Sequence, residues 1–213
     1  MKALLHSVLA GTVLALALVL QPAIAGEARA AASPQACLEG ISAALQAGDA
    51  DGFASLVDID AIAAQGLEEL EKASRDPHLA QWLPPVVSLM ASKGALTNDT
   101  VQPFMVREIR NFVLFGVGSG AFGGAPATDY KSASMLGPLF AMASMGKKTI
   151  GQIGEPEPLG QGRALVKFSV HDDDNGCDYP VQGVFAEEGG GWRLAAIRNF
   201  PELILQVSME VQD

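Results

Sequence analysis

Residues able to do covalent or proton chemistry are few in this chain: the histidines His6, His78 and His171, and the cysteines Cys37 and Cys177. Nucleophilic catalysis needs a hydroxyl or thiol beside a base that a third group holds in place. No serine stands in a G-x-S-x-G elbow, and Ser119 sits in Gly118-Ser119-Gly120, which lacks that spacing. Lys167, His171, Asp178 and Arg193 lie on or beside the late strands, and a hydrolase built from them requires that they converge within hydrogen-bond reach. Glu68, Glu69 and Glu71 read as a solvated helix face, and Glu155 and Glu157, alternating with Pro156 and Pro158, as a rigid extended link. No catalytic, cofactor-binding or metal-ligating residue is assigned from these patterns.

Two motif matches fail on their surroundings. Gly118-Ser119-Gly120-Ala121-Phe122-Gly123 fits GxGxxG, but Gly124, Ala125 and Pro126 follow where a dinucleotide site needs a helix facing the pyrophosphate. The stretch from Gly116 to Gly124 reads instead as a mobile loop, a candidate lid over a cleft. His171-Asp172-Asp173-Asp174-Asn175-Gly176 invites a calcium reading. Aligned on the required glycine, however, the first ligand position is His171 and the twelfth is Gln182, neither a carboxylate. A solvated acidic hairpin turn is the expectation. Met90, Met105, Met135, Met142 and Met145 fall at apolar helical positions and read as core filling.

The address of the protein is better marked than its chemistry. Lys2, an apolar run from Val8 to Leu20, the break at Gln21-Pro22 and the small-x-small Ala23-Ile24-Ala25 form a secretory signal peptide. The run is shorter than the roughly 20 residues of a spanning helix, so the membrane is met only through an uncleaved signal. Periplasm or secretion follows. In that oxidising setting Cys37 and Cys177 are expected to pair, closing a loop of about 140 residues worth roughly 4 to 5 kcal/mol in the chain-entropy model. Two separately buried thiols are the alternative.

Loss of residues 1–25 leaves 188 residues, enough for one domain, with 13 basic and 24 acidic residues and a formal charge of −11. That balance excludes nucleic acid and anionic membrane surfaces, which need a basic patch; the densest basic run is only Lys147-Lys148.

The elements follow a simple order. Residues 26–32 read as a flexible lead and 33–213 as a single α+β domain. Ser33-Pro34 begins a helix that Gly48 stops; Asp49 caps a second, and Asp58 or Asp60 a third. Val101, Met105, Ile109 and Phe112 mark a longer helix, and Met135 to Met142 one more. After Lys148 the period becomes two. Ala164–His171, Tyr179–Glu187 and Trp192–Asn199 form a meander turned at Asn175-Gly176 and at Gly189-Gly190-Gly191, with an edge strand over Thr149–Ile153. Helices first and three or four antiparallel strands last define the class. Pro201–Val211 extends the last strand or adds a short helix.

Ala44-Leu45-Gln46-Ala47-Gly48-Asp49 and Leu56-Val57-Asp58-Ile59-Asp60 resemble a bacterial family of unknown function that shares a Gly-Asp…Leu-Val-Asp-Phe opening, with Ile59 here in the aromatic position. The order of helices before a meander ending Gly191-Trp192-Arg193-Leu194 is similar to the nuclear transport factor 2-like, cystatin-like α+β superfamily. That resemblance implies a curved sheet and helices around a pocket, which serves as an active site, a binding surface or a homodimer surface. The expectation is a non-enzymatic exported domain that binds a small apolar ligand or a partner protein on a concave sheet face. A hydrolase and a structural role in envelope assembly are the alternatives. No cofactor is expected. Cleavage should fall after Ala25, so mass spectrometry of exported protein should find Gly26 as the first residue; an intact Met1 in a membrane fraction contradicts this.

Overall fold

The structure, a computed structural model, describes residues 31–80, 85–126 and 146–210. The signal segment, its Ala25–Gly26 junction and the Met135–Met142 segment lie outside the described residues. Helices come first: α1 (Pro34–Ala47), α2 (Ala50–Leu56), α3 (Ile59–Ala73), α4 (Pro77–Ala80), α5 (Pro85–Ser92) and α6 (Val101–Gly118), then a 3₁₀ turn at Ala121–Gly123. The strands β1 (Lys148–Gly151), β2 (Glu157–Gly160), β3 (Arg163–Asp172), β4 (Cys177–Glu188) and β5 (Gly191–Ile197) follow, and α7 (Phe200–Glu210) closes the chain. This is an α+β fold with an antiparallel sheet.

The early helices start where short polar side chains can satisfy their free N–H groups. Ser33 Oγ accepts from Ala36 N at 3.1 Å, Asp49 Oδ1 from Gly52 N at 2.9 Å and Asp58 Oδ1 from Ala61 N at 3.1 Å. Gly48 ends α1 at φ 68°, a left-handed position that suits glycine. Ala31 is less free than a flexible lead implies: it is buried, and its carbonyl accepts from Trp192 N at 3.0 Å.

The sheet runs β1-β3-β4-β5, with β2 also on β3, so it has five strands among the described residues. β1 pairs with residues 169–172 of β3 and β2 with residues 163–165, so the two share one edge of it. The Glu155–Pro158 segment is therefore not merely a link, because its end enters the sheet. Gly189 and Gly190, at φ 60° and 83°, make the two-residue turn between β4 and β5. Past Ile197 the chain becomes helical, which settles the C-terminal segment as α7.

One sheet face meets the helices. Val166, Phe168, Val181, Phe185, Leu194 and Ile197 pack there against Cys37, Leu38, Ile41, Leu45, Val57, Ile59 and Phe112. Gly183 sits among them because a Cβ there would stand 2.9 Å from both Leu194 and Phe168. A second cluster, Leu67, Ala91, Leu96 and Met105, lies among α3, α5 and α6. Met105 is buried in this cluster and Met90 packs against it, as core methionines do.

Two expectations change at this level. The Gly116–Gly124 segment is a packed plug rather than a loose loop. α6 continues to Gly118, and Phe122 is buried edge-on to Phe112 with ring centroids 6.2 Å apart. Gly116 is required because a Cβ would enter the Phe122 ring, and Gly123 because a Cβ would stand 2.6 Å from Leu45 O. The glycines serve close approach, not mobility. Glu71 is buried, not solvated like its neighbour Glu68. Its Oε2 accepts from Thr97 N at 3.2 Å and Thr97 Oγ1 at 2.9 Å, and Oε1 from Arg75 at 3.4 Å. That carboxylate ties the turn before α6 to α3. Glu71→Ala should destabilise the fold by about 1–3 kcal/mol, since it removes a buried carboxylate and leaves the half-buried Thr97 donors without their acceptor, while Glu68→Ala should leave the unfolding free energy from chemical denaturation within about 0.5 kcal/mol of the parent.

Candidate functional site

A cavity of about 510 Å³ opens between α2, α3, α6, the end of β5 and α7. Its walls follow from helical spacing. Ile59, Ile62, Ala63, Gly66, Leu67 and Leu70 form one stripe along α3, and Ile109, Phe112 and Val113 face it from α6. Phe53 and Val57 close one end, and Phe200 and Ile204 of α7 another. The space exists because α3 carries small residues at its middle. Ala63 is short, and a Cβ on Gly66 would come within 3.0 Å of the Phe200 ring, so glycine lets that ring approach the helix.

The sheet contributes Leu194 and Ile197, and only a bulge lets it contribute both. Residues three apart on a regular strand point to opposite faces. Phe185 pairs with Leu194 while the adjacent Val184 pairs with Ala196, so Ala195 is an extra residue. That insertion turns Ile197 to the same face as Leu194. The helical layer is then held at this strand. Asp58 N donates to Leu194 O at 2.9 Å, and the Gln65 amide pairs with Ile197 twice, Nε2 to O at 2.6 Å and Oε1 from N at 3.0 Å.

Every lining residue is apolar or glycine. A charged or hydrogen-bonding group entering this space would lose hydration with nothing to replace it, whereas hydrocarbon would gain from burial. The volume falls within the range of about 300–1,000 Å³ usual for small-molecule pockets. The expected binding surface was the concave sheet, with the glycine segment as its lid. The cavity instead lies beside the sheet, among helices, and the Gly116–Gly124 segment does not line it, although Phe122 backs the lining ring of Phe112.

The four polar residues weighed for hydrolysis do not assemble. His171 and Asp178 do meet, as cross-strand partners with Nδ1 3.0 Å from Oδ1. They sit near the β3–β4 turn, with His171 Nε2 turned towards Asp173 at 3.6 Å, opposite to the direction of Ser169 along the strand. Lys167 pairs with Glu157 at 3.0 Å. Arg193 lies at the far end of the sheet, bonded to Glu188 and to Val57 O, each at 3.4 Å. The acidic hairpin is likewise engaged by its neighbours: Lys148 Nζ lies 2.9 Å from Asp172 Oδ1, which also accepts from Asp174 N.

Cys37 and Cys177 are free thiols, so the expected disulfide is not formed. Cys37 is fully buried, and its Sγ donates to Leu56 O at 3.5 Å beside Leu194. Leu194 pairs with Phe185, and Cys177 lies eight residues from Phe185 along β4, roughly 26 Å at strand rise. A disulfide needs Cα atoms within about 7 Å. Position in chain order suggested helix against meander, but Cys177 occupies the wrong end of the strand.

No family model, no curated protein and no solved structure matches the chain. Among the described residues no helix is long and apolar enough to cross a membrane. Of the lining residues, Ile109 and Phe112 were legible as positions on the apolar face of a helix. What the sequence did not separate was a filled core from an open one, and the small pair Ala63 and Gly66 within an apolar stripe was the available signal.

Burial pushes the Cys37 thiol up to about 11 from its ordinary value of 9.0, outweighing the hydrogen bond from Leu194 and the nearby Arg193 charge. The folded state therefore holds this proton more tightly than the unfolded chain does. The stabilisation is complete below pH 9 and declines as pH rises towards 11. Cys37→Ala should remove that part of the alkaline loss in stability. In the native protein a chromogenic thiol reagent at neutral pH should titrate Cys177 alone, with Cys37 appearing only on unfolding; no free thiol in either state would indicate a bridge.

Proposed function

We propose that this chain is an exported, non-enzymatic binding domain that takes a small apolar ligand into the cavity between α3, α6 and β5. The single observation that carries the reading is the exclusively apolar lining of a 510 Å³ space. Water gains no partners there, so an apolar ligand displaces it favourably. The acidic exterior keeps such a carrier soluble and away from anionic membranes. Export rests on the N-terminal charge, apolar run and small-residue site.

N-phenyl-1-naphthylamine, whose emission rises in apolar surroundings, tests the reading directly. It should bind the protein saturably with one site per chain. Ala63→Phe places a ring in the cavity, so it should weaken the dye by at least about tenfold, or 1.4 kcal/mol, while the thermal midpoint holds or rises. Non-saturating emission, or equal affinity in Ala63→Phe, refutes the proposal.

A further inference from the structure

The sheet carries a second recess, about 370 Å³, separate from the apolar cavity. Its form follows from strand register. Gly151, Ser169 and Pro180 lie in one row across β1, β3 and β4, and Lys167 faces Gln182 in the next row. Gly151 leaves the row open, since a Cβ there would stand 3.3 Å from Ser169 Oγ. Gln152 lines the recess from a left-handed backbone at φ 49°. A non-glycine residue held there costs of order 1–3 kcal/mol, strain that clusters at functional sites. Glu202, in the first turn of α7, lines the recess as well.

The polar groups in this recess are not equally committed. Asn199 is fully used: its Oδ1 accepts from Gln182 N at 2.8 Å and its Nδ2 donates to Pro180 O at 2.7 Å. Ser169 is 8% exposed, and its hydroxyl has no hydrogen-bond partner among the described residues. Among the described residues Lys167 is engaged only by the exposed Glu157, a surface pairing worth at most about 1 kcal/mol and readily exchanged. The lining thus presents one cation, one anion, an unpartnered hydroxyl and, besides Asn199, the two amides of Gln152 and Gln182, with Pro180 as apolar surface.

We propose that this recess binds a small zwitterion of the amino-acid class, with its carboxylate on Lys167 and the Ser169 hydroxyl and its ammonium on Glu202. The charges on the lining cancel, which suits a ligand that is neutral overall but charged at both ends. An aliphatic side chain on that ligand lies against Pro180.

The test is titration of the ¹⁵N-labelled full chain with L-leucine, L-alanine and L-glutamine, followed by amide chemical shifts. At least one should give saturating shifts at Ser169, Gln182 and their neighbours, with a dissociation constant of about 1 mM or below. Lys167→Met and Glu202→Gln alter exposed positions and should each weaken that binding about tenfold, with the naphthylamine site unaffected. N-acetyl-leucinamide, which lacks both charges, should leave the amides unmoved. Absence of saturable shifts there with all three amino acids overturns the proposal. So does equal binding of the uncharged derivative, or binding indifferent to both substitutions.

Discussion

The inserted residue Ala195 is the constraint on which the binding architecture depends. Without it, Leu194 and Ile197 would face opposite sides of β5, and the helical layer would meet only one of them. With it, both point inward, and the strand end becomes one wall of the apolar space. The same change of course brings the chain past Asn199 into α7, whose Phe200 and Ile204 close the cavity. One extra residue thus couples the path of the last strand to the shape of the interior.

β5 also decides how far the helices stand from the sheet. Among the described residues its outer edge has no neighbouring strand, and three different groups take the place of one. Ala31 pairs at Trp192, the Val57–Asp58 junction at Leu194 and the Gln65 side chain at Ile197. Such bonds are directional, so they fix α3 laterally against the strand rather than letting it settle onto the sheet. The short Ala63 then leaves a gap that packing alone would have closed, because α3 cannot slide to fill it, while Gly66 yields its place to the Phe200 ring.

Much of this was legible in the residues, and the exceptions share a cause. Ser33-Pro34, Asp49 and the choice of Asp58 or Asp60 marked the helix starts because capping is a local event, with Asp58 the cap in the fold, and Gly189-Gly190 marked its turn for the same reason. Glu71 and Glu68 look alike in sequence, yet one is buried, because the Thr97 turn that folds over it lies 26 residues away. The glycines from 116 to 124 suggested looseness, whereas Gly116 and Gly123 yield space to Phe122 and Leu45, a demand visible only when the partners are in place. His171 and Asp178 were rightly grouped, being cross-strand neighbours in a hairpin. Arg193 and Cys37 were grouped with the wrong partners, because chain order does not reveal which end of a strand a helix meets. The cavity itself was hidden, since a filled and an unfilled apolar stripe have the same period.

Where β5 stops short, the backbone of β4 would stand open beyond Gly183; the Asn199 amide bonds to Gln182 and Pro180 there, and Gln206 to Asp178 O. Two side chains thereby complete a ladder that has run out of strand. Among the described residues, the margin left without such a seal is the β1–β2 side, where Pro158 removes a donor. Both strands on that side are only four residues long, and short strands carrying a proline give a neighbouring chain little backbone to pair with.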